Sequence, residues 1–303
     1  MCGIVGYVGY DEAAGKIIEG LKKLEYRGYD SSGIAVLSDK GIELNKCKGE
    51  IENLENMIAG RVPSGTCGIG HTRWATHGAP SDVNSHPHMD QSGRVALVHN
   101  GIVENYVELK EALIKEHGIK FKSETDSEVI AQLVGVKYNS NGGDLEKAVY
   151  DATKEMRGTY AIGVIAENTP DKIVAYRKEA PLIAGIGRKS NFIASDIPAL
   201  LKYTNDIFLI ENDEMVVCTP DSITIKDKDG KEVKREAMKI TWSVEDAEKG
   251  GYEHFMLKEI NEQPKVVAET LNRRIDEDGK IKLDGINLTK EELDKYNKIY
   301  IVA

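Results

Sequence analysis

The chain of 303 residues carries 40 Lys and Arg against 50 Asp and Glu, a formal net charge of −10, with 41% hydrophobic residues. This length allows about two domains of ~150 residues and a core that needs no disulfide or metal to hold it. Acidity spread over both halves excludes the clustered basic surface that nucleic acid or an anionic membrane requires, and no apolar run approaches the ~20 residues of a membrane span.

In chain order, Gly3–Gly9 alternates glycine with larger apolar residues and predicts a short strand. Asp11 and Glu12 open a helix with Ile17, Ile18, Leu21 and Leu24 on one face, closed by Gly28. Residues 33–38 and 41–46 predict a hairpin around Asp39-Lys40-Gly41, and 51–59 a helix. Strands are expected over 66–72 and 94–99, separated by a polar loop with Gly78, Pro80 and Pro87. Helices follow over 106–117, 126–138 and 145–156. Strands then dominate, over 159–166, 172–177, 182–186, 192–194, 207–209, 215–218, 222–226 and 238–242. Grouped strands and grouped helices predict an α+β fold with antiparallel sheets packed on helices, not a doubly wound parallel sheet.

The composition shifts near residue 243, so the domains are expected to be 1–242 and 243–303. Residues 243–251 read as a charged linker, 253–262 and 266–274 as two helices meeting at Pro264, and 276–288 as turn-rich. Thr289-Lys290-Glu291-Glu292 is a capping-box pattern for one more short helix. The apolar run 298–303 suits a buried parallel strand. It is expected to be the first strand of a second domain otherwise absent from this sequence, the other option being an edge strand of the first.

Four residue groups carry candidate chemistry. The cysteines Cys2, Cys47, Cys67 and Cys218 form no CxxC pair, which fits a reducing, cytoplasmic setting, and the N-terminus lacks a secretion signal. Cys2 is either a small apolar strand residue or, once Met1 is lost, a thiol beside its own α-amine, the arrangement of N-terminal nucleophiles. Five of the seven histidines, His71, His77, His86, His88 and His99, crowd into 29 residues. Their spacing fits no metal-binding pattern, so no metal is expected, and a functional loop with Arg73, Trp74, Thr76 and Gly78 is favoured. Asn100-Gly101 is either a hairpin turn or a pair of N–H donors for an oxyanion. Asp126 could cap the following helix, and Arg27 and Asp30 could be a helix end and turn.

Together these stretches resemble a known family. Met1-Cys2-Gly3-Ile4-Val5-Gly6, Leu24-Glu25-Tyr26-Arg27-Gly28-Tyr29-Asp30-Ser31, His71-Thr72-Arg73-Trp74-Ala75-Thr76-His77-Gly78, His99-Asn100-Gly101 and Ser123-Glu124-Thr125-Asp126 resemble the glutaminase domain of the glutamine–fructose-6-phosphate aminotransferases. The stretch 252–264 resembles the entry to that family's sugar isomerase domain. The resemblance implies an Ntn-hydrolase four-layer sandwich, two antiparallel sheets between helical layers, followed by a truncated start of an α/β isomerase domain. It implies that Cys2 attacks the glutamine carboxamide and that Asn100 and Gly101 bind the oxyanion. Arg73 would hold the substrate α-carboxylate and Asp126 its α-ammonium. Thr76 and His77 would line the pocket, Trp74 would gate ammonia, and Arg27 would lie near the nucleophile. No cofactor is implied. Glutamine is the implied substrate, fructose-6-phosphate is reached only through the missing isomerase domain, and the full-length protein is expected to be a homodimer. The alternatives are another amidotransferase of the same fold, a non-catalytic module, and a zinc hydrolase built on the histidines.

Overall fold

Alternation along single strands sets the layering of the molecule. The computed structural model describes residues 2–241, 252, 255–272, 274–276, 278–282, 288–298 and 300. The chain forms two compact units, Met1–Ala247 and Glu248–Ala303. The first unit runs β1 (Gly3–Gly9), α1 (Ala13–Lys22), β2 (Ser31–Ser38), β3 (Gly41–Lys48), α2 (Ile51–Ile58), β4 (Cys67–Arg73), β5 (His88–Met89) and β6 (Val95–Val103). Three helices follow, α3 (Tyr106–His117), α4 (Asp126–Ser140) and α5 (Leu145–Glu155). The remaining strands are β7 (Gly158–Ala166), β8 (Ile173–Lys178), β9 (Ile183–Gly187), β10 (Ser190–Ala194), β11 (Asp206–Leu209), β12 (Glu214–Cys218), β13 (Ile223–Lys226) and β14 (Met238–Lys239).

They build an eight-stranded sheet, β14-β11-β9-β10-β1-β4-β2-β3, and a six-stranded sheet, β13-β12-β8-β7-β6-β5. Every neighbouring pair is antiparallel. In β6, Val95 and Leu97 pack against Leu109, Val129 and Val149 of the three helices. Their neighbours Ala96 and Val98 point the other way, into a core shared with Ile4, Val8 and Ile69 of the larger sheet. The outer face of that sheet presents Val5, Tyr7, Ile34 and Val36 to Ile17 and Leu21 of α1 and Leu54 of α2. Helices, six strands, eight strands and helices therefore form four layers around three buried apolar seams.

Several local expectations differ from the structure. Asn100-Gly101 is no turn: both residues lie inside the nine-residue strand β6, facing Ala161 and Tyr160 of β7. A long ladder between two well-matched apolar strands outweighs the turn preference of one dipeptide. Asp126 is not the cap of α4, because Thr125 occupies that position and accepts from the Glu128 N–H at 3.2 Å. Helix α1 ends at Lys22, and a separate 3₁₀ turn, Glu25–Arg27, leads to Gly28. The strand expected over 238–242 is only β14, and Trp242 lies outside the described residues.

In the second unit a single helix, α6 (Phe255–Asn272), continues through Pro264 where two helices were expected. The cost of one interior proline, about 3 kcal/mol, is spread over an 18-residue helix that also carries Lys258, Glu259, Glu262, Lys265 and Glu269. The capping box forms as expected at α7 (Lys290–Leu293). Glu292 N–H donates to Thr289 Oγ1 at 3.2 Å, and Thr289 N–H donates to the Glu292 carboxylate at 2.8 Å. The linker over 243–251 and most of the run 298–303 lie outside the described residues.

Candidate active site

Cys2 stands one residue ahead of β1, a strand held between β10 and β4 in the middle of the larger sheet. Because Gly3 faces Thr72 in the β1–β4 ladder, Cys2 comes level with the end of β4, at Arg73 and Trp74. The Trp74 N–H donates to Cys2 Sγ at 3.2 Å, and the thiol in turn faces the Trp74 carbonyl at 3.4 Å. Gly28 allows this corner to close: a Cβ there would lie 2.7 Å from the Arg73 carbonyl carbon. Burial pushes the Cys2 thiol above its usual range, opposed by the Trp74 N–H and by the charges of Arg73 and Arg27. The thiol is therefore protonated at neutral pH and needs a base before it can attack.

Two donors hold the Cys2 carbonyl oxygen. Arg27 Nε reaches it at 3.0 Å and Asn100 Nδ2 at 3.1 Å. Arg27, at the end of the 3₁₀ turn, is itself fixed by Asp196, whose Oδ2 accepts from Arg27 Nη1 at 2.8 Å and from the Tyr26 hydroxyl at 2.6 Å. Asn100 arrives from the other sheet, on β6. An amide nitrogen has two hydrogens, so donation to Cys2 leaves a second N–H of Asn100 for the cavity. Gly101 beside it adopts φ +117°, and a Cβ there would fall 2.0 Å from the Thr159 carbonyl oxygen. Gly101→Ala is accordingly expected to destabilise the first unit by about 2–4 kcal/mol, read as a lower thermal unfolding midpoint.

Arg73 and Asp126 place a cation and an anion on one cavity. Arg73 is buried, and its Nη2 donates to the carbonyls of His77 and of Gly78, the latter at 3.1 Å. Its Nη1, also buried, has no partner among the described residues. Asp126, the first residue of α4 and 3% exposed, accepts the Val103 N–H on Oδ2 at 3.0 Å. Ser127 Oγ lies 3.4 Å from its other oxygen. These few bonds leave lone pairs of the carboxylate available to a ligand. Trp74 is 46% exposed and packs edge-on to Tyr29, with ring centroids 5.6 Å apart. His77 contacts Thr76 Oγ1 at 3.4 Å and packs on Tyr106.

All nine residues singled out in the sequence (Cys2, Arg27, Arg73, Trp74, Thr76, His77, Asn100, Gly101 and Asp126) line one cavity of about 410 Å³. The histidine crowding resolves differently from the expected loop. His71, His86, His88 and His99 are buried, His86 and His99 in the cavity wall, with His71 stacked on His86 at 4.0 Å between centroids. Desolvation holds all four below the usual histidine range, His71 down to about 3. Among the described residues no group of His, Cys, Asp and Glu is arranged to hold a metal.

Two supporting residues, Asp196 and Ser127, escaped the sequence reading, and a third, Asp30, was read only as part of a turn. Asp196 anchors Arg27, and Ser127 joins His99 Nδ1 at 2.8 Å to the first turn of α4. Asp30 accepts the Ala75 N–H at 2.8 Å and so ties down the start of the 74–80 loop. The only signal for Asp196 was its place ahead of Ile197-Pro198, which marks a cap and says nothing of Arg27.

The comparisons with known proteins agree with this geometry. A glutamine amidotransferase domain family matches residues 71–202. The chain is 55% identical over 303 residues to the glutamine–fructose-6-phosphate aminotransferase (isomerizing) of Clostridium tetani, covering 100% of this chain and 49% of that protein. For the Clostridium perfringens protein of the same name the identity is 56%, with the same coverage. The chain thus spans about half the length of the curated relatives it matches. Among solved structures, the glutamine phosphoribosylpyrophosphate amidotransferase of B. subtilis with ADP and GMP superposes with a TM-score of 0.64 and 25% identity, over 75% of this chain and 49% of that one. A structure described as the allosteric regulatory enzyme of purine biosynthesis gives 0.65 and 26% over the same shares. Among the described residues no helix is long and apolar enough to cross a membrane. By identity, domain match and fold together, this chain carries an Ntn-type glutamine amidotransferase domain similar along its whole length to the glutamine–fructose-6-phosphate aminotransferases.

Proposed function

We propose that this chain hydrolyses the side-chain amide of glutamine through a thioester on Cys2, and that the ammonia released serves a sugar aminotransferase reaction. The observation that carries the reading is the buried Nη1 of Arg73, without a partner among the described residues, in the cavity that also holds Cys2 and Asp126. A buried guanidinium N–H without an acceptor is costly, and a ligand carboxylate would satisfy it. Arg73 then binds the α-carboxylate of glutamine and Asp126 its α-ammonium, which leaves the carboxamide for Cys2.

Removal of Met1 exposes the α-amine of Cys2, whose reference pKa of about 7.7–8.0 leaves part of it neutral at pH 7. The neutral amine takes the thiol proton as sulfur bonds to the carboxamide carbon, and the amide oxygen becomes an oxyanion. Asn100 Nδ2 and the Gly101 N–H stabilise that charge. The C–N bond breaks, the ammonium form of the amine returns its proton to the leaving nitrogen, and ammonia departs. Water then adds to the thioester, the C–S bond breaks, and glutamate leaves with the thiol restored. Thr76 and His77 close the pocket, Trp74 gates ammonia, and Arg27 keeps Cys2 oriented. Transfer to fructose-6-phosphate, a homodimeric full-length protein and a cytoplasmic location rest on the resemblance to the aminotransferases. So does the reading of 243–303 as a linker and the start of an isomerase domain.

Glutamate release from glutamine by the intact chain tests the reading, and no release from protein that begins at Cys2 would refute it. Arg73→Gln is expected to lower kcat/KM for glutamine by about 100- to 1000-fold, mostly through KM. Steady-state kinetics on the folded variant check this.

A further inference from the structure

We propose that His71 is a positioning residue for the oxyanion-binding amide: its Nε2–H, shared between the His99 carbonyl and Asn100 Oδ1, fixes which end of the Asn100 carboxamide faces the reacting centre. The inference rests on the reading of Asn100 given above and adds a residue that does not line the cavity. His71 lies on β4, fully buried, with Nε2 3.0 Å from His99 O and 3.0 Å from Asn100 Oδ1. Both neighbours are acceptors, so the arrangement requires the proton on Nε2. The Nδ1 atom has no acceptor or donor beside it among the described residues, so nothing there calls for the proton.

The far end of the Asn100 amide makes the same demand. Its Nδ2 lies 3.1 Å from the Cys2 carbonyl oxygen, which can only accept. A flip of the amide would set two oxygens against each other at Cys2 and leave the His71 proton without its second acceptor. It would also present lone pairs to a developing anion. The His99 carbonyl holds His71 by a strand-to-strand contact independent of Asn100, so the donor is in place before substrate arrives. His71 thus links β4, which carries Arg73, to β6, which carries Asn100.

The test compares three variants of the intact chain. His71→Met removes the donor at similar volume, and kcat for glutamine hydrolysis is expected to fall by about 30- to 100-fold with KM changed less than about threefold. His71→Gln, whose amide N–H can reach the same point, is expected to stay within about tenfold of the wild-type kcat. In an Asn100→Ala background His71→Met should cost nothing further, because the two act as one unit. The proposal is overturned if His71→Met keeps kcat within about threefold of wild type, if the Gln and Met variants lose equally, or if the two costs multiply in the double variant. An Asn100→Ala enzyme with wild-type kcat would instead refute the role of Asn100 itself. Should His71→Met fail to fold, the imidazole ¹⁵N spectrum of the wild-type chain decides. A neutral Nε2–H tautomer for His71 is expected, and an Nδ1–H tautomer overturns the proposal.

Discussion

Cys2→Ala is expected to reduce glutamate release from glutamine by about four orders of magnitude or more, with the folded state retained. No other thiol can take over, because Cys47, Cys67 and Cys218 are buried in the apolar seams away from the cavity. Among the described residues the sulfur makes only its paired, long contacts with the Trp74 backbone, so the thermal midpoint should shift by at most a few degrees. Circular dichroism melting alongside the glutamate assay separates the two effects. Intact mass on the wild-type protein completes the test, with loss of Met1 expected in every active preparation. Substantial turnover by Cys2→Ala would end the thioester mechanism.

Acidification should unfold the first unit over an unusually broad range. Four buried histidines are held neutral by desolvation: His71, His86, His88 and His99. Their folded-state values lie below the ordinary 6.5, so the unfolded chain binds more protons as the pH falls past that point. Stability from this cluster is complete above about pH 6.5 and declines as the pH drops toward 3, where His71 titrates in the fold. Each histidine that is neutral in the fold but protonated in the unfolded chain adds a slope of up to about 1.4 kcal/mol per pH unit, so the contributions of the cluster accumulate as the pH falls. Urea unfolding at pH 7.5, 6.5, 5.5 and 4.5 would show midpoints level between the first two and falling steeply after. A slope under ~1.4 kcal/mol per unit would mean that the cluster takes up protons without unfolding.

The α+β class and most of the elements were legible because they rest on local pattern, whereas the four layers were expected from the family resemblance. Val95-Ala96-Leu97-Val98 is apolar on both faces, as a strand between a helical layer and a second sheet must be. Ile17 and Leu21 in α1 show the helical period that seats them on the larger sheet. Positions that depend on distant partners were not legible. Asn100-Gly101 carries a strong turn signal, yet nine residues of pairing with β7 override it. Pro264 predicts a break, yet its neighbours sustain one helix. The histidine spacing announced proximity but not burial, since burial comes from β5 pairing with β6, α4 packing on both, and β4 facing β6 from the other sheet. Asp196 and Asp30 meet Arg27 and Ala75 across 169 and 45 residues of sequence, distances over which no periodicity speaks.

Trp74 gives this cavity an optical reporter. The chain has two tryptophans, and a Trp242→Phe variant would leave one, half exposed, whose own backbone N–H touches the nucleophile sulfur. Filling the cavity or acylating Cys2 would change the polarity around that indole and displace the Tyr29 ring stacked edge-on to it. Emission from a single side chain could then follow ligand entry, thioester formation and its hydrolysis in real time, with no label added to the protein.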